Sequence, residues 1–287
     1  MDMVCEMACA KINICLDVTG IREDGYHSIE SVMLCVTLAD DVTLEKTASI
    51  GITLECSDAS LPTDEKNLAY KAALEFYKYI DEEPCVHITV IKHIPDRAGL
   101  AGGSADAAAV LRGLNTLTEA YLSDEELRKI AEKIGSDVIF CVSSDPSFVS
   151  GRGEIIDMCA PLPDCTVVLA KGKEGVKTPG AYKALDTMYN DYSARGTLAS
   201  KCLDAMYSGD LKAISDSAFN IFEDITLEAD PEISLIKNEM LGCGAILSLM
   251  SGSGSAVFGL FTSEDEANTA LARLKEKDMW AFVCKPL

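Results

Sequence analysis

The stretch PDRAGLAGGSADAAA, residues 95–109, constrains this chain more than any other segment. It places three glycines and a serine directly before a run rich in alanine and leucine, which are strong helix formers. Glycine lets the backbone adopt positive φ and approach a ligand closely, and the amides and dipole of a helix N-terminus favour negative charge. The segment therefore predicts a helix over 104–115 whose N-terminus binds phosphate. The alternative is a plain turn followed by a capped helix.

The segments around this loop predict a strand before it and helices on both sides. Residues 85–92 are β-branched and alternating, which indicates a strand that leads into the glycine loop, and residues 67–80 have helical spacing. Ser123 and Glu126 form a capping-box pattern at the start of an amphipathic helix over 123–134. Asp137 follows, directly before the apolar run 138–142, where a carboxylate would be fixed rather than free.

The rest of the chain predicts alternating strands and helices with no internal repeat. In the first part, strands are predicted at 8–17, 31–39, 41–46 and 50–56. Glycines and two prolines cluster in residues 150–163, so we expect one domain over 1–155, carrying the glycine loop, and a second over 156–287.

Composition excludes several classes of function. Lys and Arg number 25 against 46 Asp and Glu, and the formal net charge of -21 argues against binding to nucleic acid or an anionic membrane. The 12 cysteines are spread along the chain without a CxxC pair, which favours free thiols in a reducing cytoplasm. No run of 18 apolar residues occurs, so we expect no membrane span.

Two more segments, taken together with the glycine loop, resemble the motifs of a known family. SGSGSA at residues 251–256 is a second glycine-serine loop, and ACAKIN at residues 8–13 sets Lys11 among small and apolar residues. These three segments in this order resemble the three motifs of the GHMP kinase superfamily of small-molecule kinases. Within it, GIREDGYHSIES at residues 20–31 resembles the DGYH signature of the 4-diphosphocytidyl-2-C-methyl-D-erythritol kinase family. Similar to that family, in order, are also EKNLAYKAA, KHIP, GSDV, GRGE and MSGSGSAVF.

The resemblance implies a fold and an activity. The fold is α+β and two-lobed, with an N-terminal ribosomal-protein-S5-like β/α domain, a C-terminal ferredoxin-like α/β domain and the active site between them. The activity is ATP-dependent phosphorylation of the 2-hydroxyl of a small cytidine diphosphate-linked methylerythritol in non-mevalonate isoprenoid biosynthesis, with Mg²⁺, in a monomer or weak homodimer that binds no nucleic acid or membrane. The alternatives are another GHMP small-molecule kinase, or a nucleotide-binding protein on this scaffold without turnover.

The resemblance also implies roles for the residues that bind and use ATP. Asp137 would take or orient the proton of the substrate hydroxyl, and Lys11 would keep that carboxylate ionised. Ser104 would contact a phosphate or ligate Mg²⁺. The residues expected to bind ATP are Asn67, Leu68, Lys92, Pro95, Gly99, Leu100, Ala101, Gly102, Gly103 and Ser104. Taken alone, an Asp after a helix is a cap or turn residue, and a Lys beside a strand is an exposed edge charge.

Substrate specificity is expected from a further set of residues. Tyr26 and Tyr182 would stack on the cytosine ring, and His27 would contact its edge. The full set expected to bind the substrate is Asn13, Tyr26, His27, Tyr182, Gly252, Ser253 and Gly254. The chain departs from the family pattern at Ala101, Ile139, Ser143 and Ser144. If residue 101 has positive φ, alanine costs about 1 kcal/mol or more relative to glycine.

Overall fold

A computed structural model describes residues 2–172, 178–189, 192 and 198–287. Within them the strands are β1 (Met3–Ile21), β2 (His27–Lys46), β3 (Gly51–Cys56), β4 (Cys85–Ile91), β5 (Ser147–Gly151), β6 (Ile155–Met158), β7 (Thr166–Lys171), β8 (Phe219–Asn220), β9 (Leu247–Met250), β10 (Val257–Phe261) and β11 (Trp280–Cys284). The helices are α1 (Leu68–Ile80), α2 (Gly102–Leu117), α3 (Asp124–Glu132), α4 (Ser136–Ser143), α5 (Thr178–Met188), α6 (Leu198–Ser208), α7 (Leu211–Ser217), α8 (Glu223–Ala229), α9 (Pro231–Gly242) and α10 (Glu264–Glu276). None of these helices has the length and apolar character needed to cross a bilayer.

The chain divides into two compact units, each built from several segments. Unit 1 comprises Met1–Ala10, Leu38–Asp96 and Ala101–Ser144, and unit 2 comprises Lys11–Thr37, Arg97–Leu100 and Asp145–Leu287. Strands β1 and β2 therefore each contribute a part to both units. The domain boundary predicted between residues 155 and 156 stays a prediction.

Unit 1 packs four helices with a mixed sheet. Within it, the second half of β2 pairs antiparallel with β4, and β4 pairs parallel with β3. Helix α2 packs against α1 and α4, and α4 packs against α3. Helix α2 buries several small residues, namely Ala105, Ala107, Ala108 and Ala109. Small side chains let neighbouring helices approach closely, so the glycine loop before α2 is fixed by a tightly packed helix.

Unit 2 contains a four-stranded antiparallel sheet in the order β11-β7-β10-β9. Helices α9 and α10 pack on this sheet and bury an apolar core that includes Phe222, Met240, Phe261 and Leu274. In the same unit, β8 pairs parallel with β1, and β5 pairs antiparallel with the first half of β2. The mixture of antiparallel sheets and helices confirms the expected α+β class.

The local sequence signals near the glycine loop are confirmed. The strand predicted over 85–92 is β4, and the helix predicted over 104–115 is α2, which begins two residues earlier. The Ser123 and Glu126 capping box at α3 is present in both directions. The strands expected at 31–39 and 41–46 both lie in β2, and only the break expected between them is wrong, since β2 is one continuous strand through Asp40. Its charged side chain is buried within the strand instead of marking a turn.

Candidate active site

The N-terminus of α2 leaves backbone amides available to an anion. Its N-cap, Ala101, provides no side-chain hydrogen bond, and the first backbone hydrogen bond of the helix runs from the Ala105 amide to the Ala101 carbonyl at 2.9 Å. The amides of Gly102, Gly103 and Ser104 therefore have no partner within the helix. Ser104 is half-buried and Gly103 is exposed, so this first turn of α2 borders solvent. Such a turn suits the phosphates of a nucleotide.

Ala101 occupies a backbone conformation that favours glycine. Its φ is 56° and its ψ is 28°, in the left-handed region. Residue 101 therefore has the positive φ on which the predicted cost of this departure depends. Alanine in this conformation costs about 1–2 kcal/mol relative to glycine. Ser144, another departure, ends α4 with a φ of 61°. Both positions therefore have the left-handed backbone conformation that glycine adopts most easily.

Lys92 lies beneath the first turn of α2 between two carboxylates. Its Nζ donates to Asp40 Oδ2 at 2.5 Å and to Asp106 Oδ2 at 2.6 Å, and it lies 3.4 Å from the position that a Cβ on Gly102 would take. Burial would lower the pKa of the Lys92 ammonium, but Asp106 and Asp40 outweigh it and raise that pKa. Lys92 is therefore a fixed positive charge beside the free amides.

The two carboxylates that hold Lys92 differ in their surroundings. Asp40 is fully buried, and its Oδ1 also accepts from the backbone amides of His93 and Ile94. Asp106 is buried too, but its Oδ1 has no hydrogen-bond partner in the part of the chain that the structure describes. Burial raises the pKa of the Asp106 carboxyl, Lys92 opposes this and Asp40 reinforces it, and the pKa is about 7 as a result. One carboxylate is thus fully satisfied and the other is not.

Helix α1 brings Asn67 and Leu68 to the same part of unit 1. Asn67 caps α1, since its Oδ1 accepts from the Ala69 amide at 2.9 Å, and its Nδ2 donates to the Pro62 carbonyl at 2.8 Å. Leu68 Cδ1 lies 3.8 Å from the position that a Cβ on Gly103 would take. The structure therefore brings Leu68, Lys92 and the start of α2 together. The side-chain and backbone amides of Asn67 are both already committed, since its backbone N–H donates to the Asp64 carbonyl at 2.9 Å.

Asp137 lies in the first turn of α4, which packs against α2. The side chain is half-buried, whereas the five residues after it are buried and anchor the helix. A carboxylate in a first turn is favoured by the helix dipole. The position keeps the carboxylate partly accessible on a rigid element. Its role as a base stays a prediction.

In unit 2, Lys11 and Asn13 form a buried hydrogen-bond network on β1. Lys11 Nζ donates to Asn13 Oδ1 at 2.6 Å, and the Gly252 amide donates to the same oxygen at 3.0 Å. Asn13 Nδ2 donates to Ser31 Oγ at 2.8 Å, and Ser31 Oγ donates to the Cys15 carbonyl at 2.6 Å. Asn13 therefore fixes Lys11. Of the residues expected to bind substrate, Asn13 and Gly252 meet here.

The residues at the start of the glycine loop contact the second glycine-serine loop. The Ala256 amide donates to the Ala98 carbonyl at 2.9 Å, and Ser251 Oγ donates to the Gly99 carbonyl at 3.1 Å. The Lys11 amide donates to the Leu100 carbonyl at 3.1 Å. The Leu100 side chain is only 1% exposed, so it lies in the core and can face a ligand only through its backbone. Ser253 is buried within its loop, and Pro95, in unit 1, is half-buried.

Gly99 fits this contact because it has no side chain. Its φ is 78°, and a Cβ would lie 2.1 Å from the Ser251 carbonyl oxygen. Gly99→Ala is therefore expected to lower the free energy of unfolding by about 2–4 kcal/mol, from backbone strain and overpacking. Urea unfolding measures this loss. Gly20→Ala is the matched control, because a Cβ on Gly20 meets nothing within 4 Å, and a comparable loss in both variants would contradict the close fit.

Sequence reasoning missed two residues that hold the second loop. Asn220 Nδ2 donates to the carbonyls of Met250 and Gly252, at 2.7 and 2.8 Å. Glu223 Oε1 accepts from the Met250 amide at 2.8 Å, while its Oε2 pairs with Lys237. The sequence feature that could have indicated them is an amide residue, Asn220, and an acidic residue, Glu223, on either side of two apolar residues. These contacts fix the strand and loop that present Gly252.

His27 and Tyr182 lie together, and Tyr26 lies apart at the surface. The ring centroids of His27 and Tyr182 are 4.6 Å apart with an interplanar angle of 31°, and Phe222 meets the Tyr182 ring at 87°. Tyr26 is 60% exposed, and the Arg152 guanidinium lies 5.2 Å from its ring centroid. An exposed aromatic ring is available to stack on a ligand. That Tyr26 and Tyr182 sandwich one base stays a prediction.

Comparisons with known proteins agree with these features. The model of the GHMP kinases N terminal domain matches residues 67–145, and that of the GHMP kinases C terminal domain matches residues 202–278. A 4-diphosphocytidyl-2-C-methyl-D-erythritol kinase from Listeria monocytogenes serotype 4b (strain CLIP80459) is 44% identical over 258 residues, which are 90% of this chain and 87% of the relative. This chain belongs to the 4-diphosphocytidyl-2-C-methyl-D-erythritol kinase family.

Further relatives of the same name agree. A 4-diphosphocytidyl-2-C-methyl-D-erythritol kinase from Exiguobacterium sibiricum is 45% identical and covers 90% of this chain and 89% of its own length. A crystal structure of a 4-(cytidine 5'-diphospho)-2C-methyl-D-erythritol kinase matches with a TM-score of 0.82 and 31% identity over 99% of both chains. Homoserine kinase from Cytophaga hutchinsonii, at 19% identity and a TM-score of 0.76, shows the shared fold alone. The expected GHMP kinase fold is confirmed.

Proposed function

We propose that this chain transfers the terminal phosphate of ATP to the 2-hydroxyl of 4-diphosphocytidyl-2-C-methyl-D-erythritol, giving the 2-phosphate and ADP. Family membership over 90% of the chain supports the reaction. The structural observation that carries it is the uncapped first turn of α2, with its free amides at Gly102, Gly103 and Ser104 above the buried Lys92 ammonium. Backbone donors and a fixed cation are what an acidic protein needs to hold a polyanionic nucleotide.

In this mechanism the amides of the α2 first turn bind and orient the β- and γ-phosphates. Asp137 accepts the proton of the substrate 2-hydroxyl while the hydroxyl oxygen bonds to the γ-phosphorus of ATP. The bond between the γ-phosphorus and the β-phosphate oxygen breaks, and ADP leaves with that oxygen. Lys11, held by Asn13 at 2.6 Å, offers a fixed ammonium to developing negative charge. Fixing these groups in advance lowers the cost of reaching the transition state.

The residues present also suit Mg²⁺. No group of three or more His, Cys, Asp and Glu side chains able to hold a metal occurs in the described residues, so the chain offers no all-protein cage there. Mg²⁺ typically binds through one or two protein oxygens together with substrate phosphates and water. The half-buried Ser104 hydroxyl, in the first turn of α2, is the oxygen we assign to it. Bound Mg²⁺ would neutralise phosphate charge.

We place the reaction in the cytoplasm and expect a monomer or weak homodimer. None of the 12 cysteines, all of which lie in the described residues, forms a disulfide, which is typical of a reducing compartment. Seven of them are buried, and burial raises the pKa of the Cys165 thiol to about 11. Such thiols are poorly reactive at neutral pH.

The test of the function is ATP consumption by the purified protein with and without the cytidylyl alcohol. Dependence of ADP release on that compound is the expected result. Dependence on a different alcohol, such as homoserine or mevalonate, would point to another GHMP kinase. Nucleotide binding without turnover on any alcohol would leave only a binding protein, and either of these two results would contradict the proposal.

Tyr26→Ala is expected to raise the KM for the cytidylyl alcohol about 3- to 10-fold, with kcat nearly unchanged, because a stacked ring contributes about 0.5–1.5 kcal/mol. Steady-state kinetics at saturating ATP measures both constants. Tyr121→Ala is the control, since Tyr121 is 82% exposed and lies in unit 1. An unchanged KM in the Tyr26 variant would place base recognition elsewhere.

A further inference from the structure

The His27 imidazole is held by two side chains of α5. Its Nε2 lies 2.7 Å from Asp186 Oδ1, and one face of its ring packs against Tyr182 at 4.6 Å between centroids. The His27 side chain is only 13% exposed. Asp186 is 159 residues from His27 in the chain, and no sequence motif assigned it a role. The contacts fix both the plane and the rotation of the imidazole ring.

Asp186 is an ionised acceptor in this cluster. Its Oδ1 also accepts from the Tyr192 hydroxyl at 2.8 Å. Burial would raise the pKa of the Asp186 carboxyl, but the hydrogen bonds from His27 and Tyr192 outweigh it and lower that pKa. Burial and the Asp186 carboxylate raise the pKa of the Tyr192 phenol, so the phenol keeps its proton and donates it. A carboxylate with no proton of its own can only accept, so His27 Nε2 must carry the hydrogen.

That requirement decides what the other nitrogen of His27 can bind. A neutral imidazole has one N–H, and with the hydrogen on Nε2 the Nδ1 is an acceptor. Among the described residues, no hydrogen bond occupies Nδ1. An acceptor pairs with an amino group and repels a carbonyl oxygen. Cytosine carries an exocyclic amino group at the ring position where uracil carries a carbonyl.

We propose that Asp186 is a positioning residue that selects a cytosine base over a uracil base by fixing the tautomer of His27. The proposal rests on the proposed function, because it concerns the base of that substrate. Asp186 acts through His27 and does not itself contact the base. Tyr192 supports the carboxylate from its other side but does not determine the imidazole tautomer.

The first test is spectroscopic and needs no turnover. The chain has only 3 histidines, so a long-range proton–nitrogen spectrum of labelled protein resolves them, and His27→Ala assigns the His27 signals by difference. The wild-type protein is expected to show hydrogen on Nε2. In Asp186→Asn an amide can donate to Nε2, which favours the opposite tautomer. Tyr192→Phe, the matched control, should keep the wild-type tautomer, since it retains the contact between His27 and Asp186.

The second test measures base preference. The ratio of Kd values for CMP and UMP, and of kcat/KM for the cytidylyl alcohol and its uridylyl counterpart, is expected to fall about tenfold or more in Asp186→Asn. The KM for ATP should stay unchanged, whereas a general loss of structure would alter it too. Tyr192→Phe should keep the wild-type ratio. An Asp186→Asn protein with the wild-type tautomer, or with the wild-type ratio, would overturn the proposal.

The two proposals can fail separately. If the wild-type protein prefers CMP over UMP and loses that preference in Asp186→Asn, yet never phosphorylates the cytidylyl alcohol, the positioning role holds and the proposed reaction is wrong. If turnover depends on the cytidylyl alcohol and Asp186→Asn discriminates as wild type does, the reaction holds and the positioning role is wrong.

Discussion

Replacing Asp40 by alanine is expected to lower the free energy of unfolding of this protein by about 3–5 kcal/mol. The Asp40 carboxylate is fully buried and receives three donors: Lys92 Nζ and the amides of His93 and Ile94. Alanine would leave the amides of His93 and Ile94 without this acceptor, and the buried ammonium with Asp106 as its one remaining ionic partner among the described residues. Urea unfolding, with the midpoint and slope fitted separately, measures the loss.

The neighbouring residue provides the control for this change. Asp41 is on the same strand, but its side chain is 63% exposed and pairs with the exposed His93. Asp41→Ala should therefore change stability by less than about 0.5 kcal/mol. If the two variants lose similar stability, the buried network around Lys92 does not stabilise unit 1, and Lys92 is held by something other than Asp40.

Asp40 also shows what local sequence patterns cannot predict. The sequence predicted a break at residue 40 and hence two strands, 31–39 and 41–46, where the structure has the single strand β2. The decisive partner, Lys92, is 52 residues away, and the carboxylate can be buried only because that partner and two backbone amides are there. A pattern read over a few residues contains no such information. By contrast, the signals that are local, such as the helical spacing over 67–80 and the Ser123 capping box, gave correct helix starts.

In the candidate site, too, features that depend on neighbouring residues were predictable, and contacts between distant residues were not. The glycine loop, the strand before it and the helix after it were predictable, because each depends on residues close together in sequence. The contact of Asn13 with Gly252 joins residues 239 apart, and a resemblance to a family was needed to connect their segments. Asn220 and Asp186 were missed because no spacing in the chain links them to Gly252 or His27. Residues that position others by long-range hydrogen bonds are visible only in the fold.

The largest expected effect on activity is that of Asp137→Asn, which should lower kcat about 100-fold or more while the Kd for ATP stays near the wild-type value. A base that accepts the hydroxyl proton acts mainly in the transition state, so its loss lowers kcat rather than nucleotide affinity. Asparagine keeps the size of the side chain and is tolerated in a first helical turn, so α4 and the buried Val138 and Phe140 behind it should stay in place. Single-turnover kinetics at saturating ATP isolates the chemical step.

Asp124→Asn is the control that distinguishes the role of Asp137 as a base from the general effect of removing a carboxylate from the first turn of a helix. Asp124 occupies the first turn of α3 in the same unit, where it faces the same kind of helix dipole but lies at the exposed surface. Its loss should cost a few tenths of a kcal/mol of stability and leave kcat unchanged. Should Asp137→Asn retain wild-type kcat, or lose affinity for ATP in parallel with kcat, Asp137 would not be the base. The proposal that the first turn of α2 binds phosphate would then still stand, because it depends on backbone amides and Lys92 and not on this carboxylate.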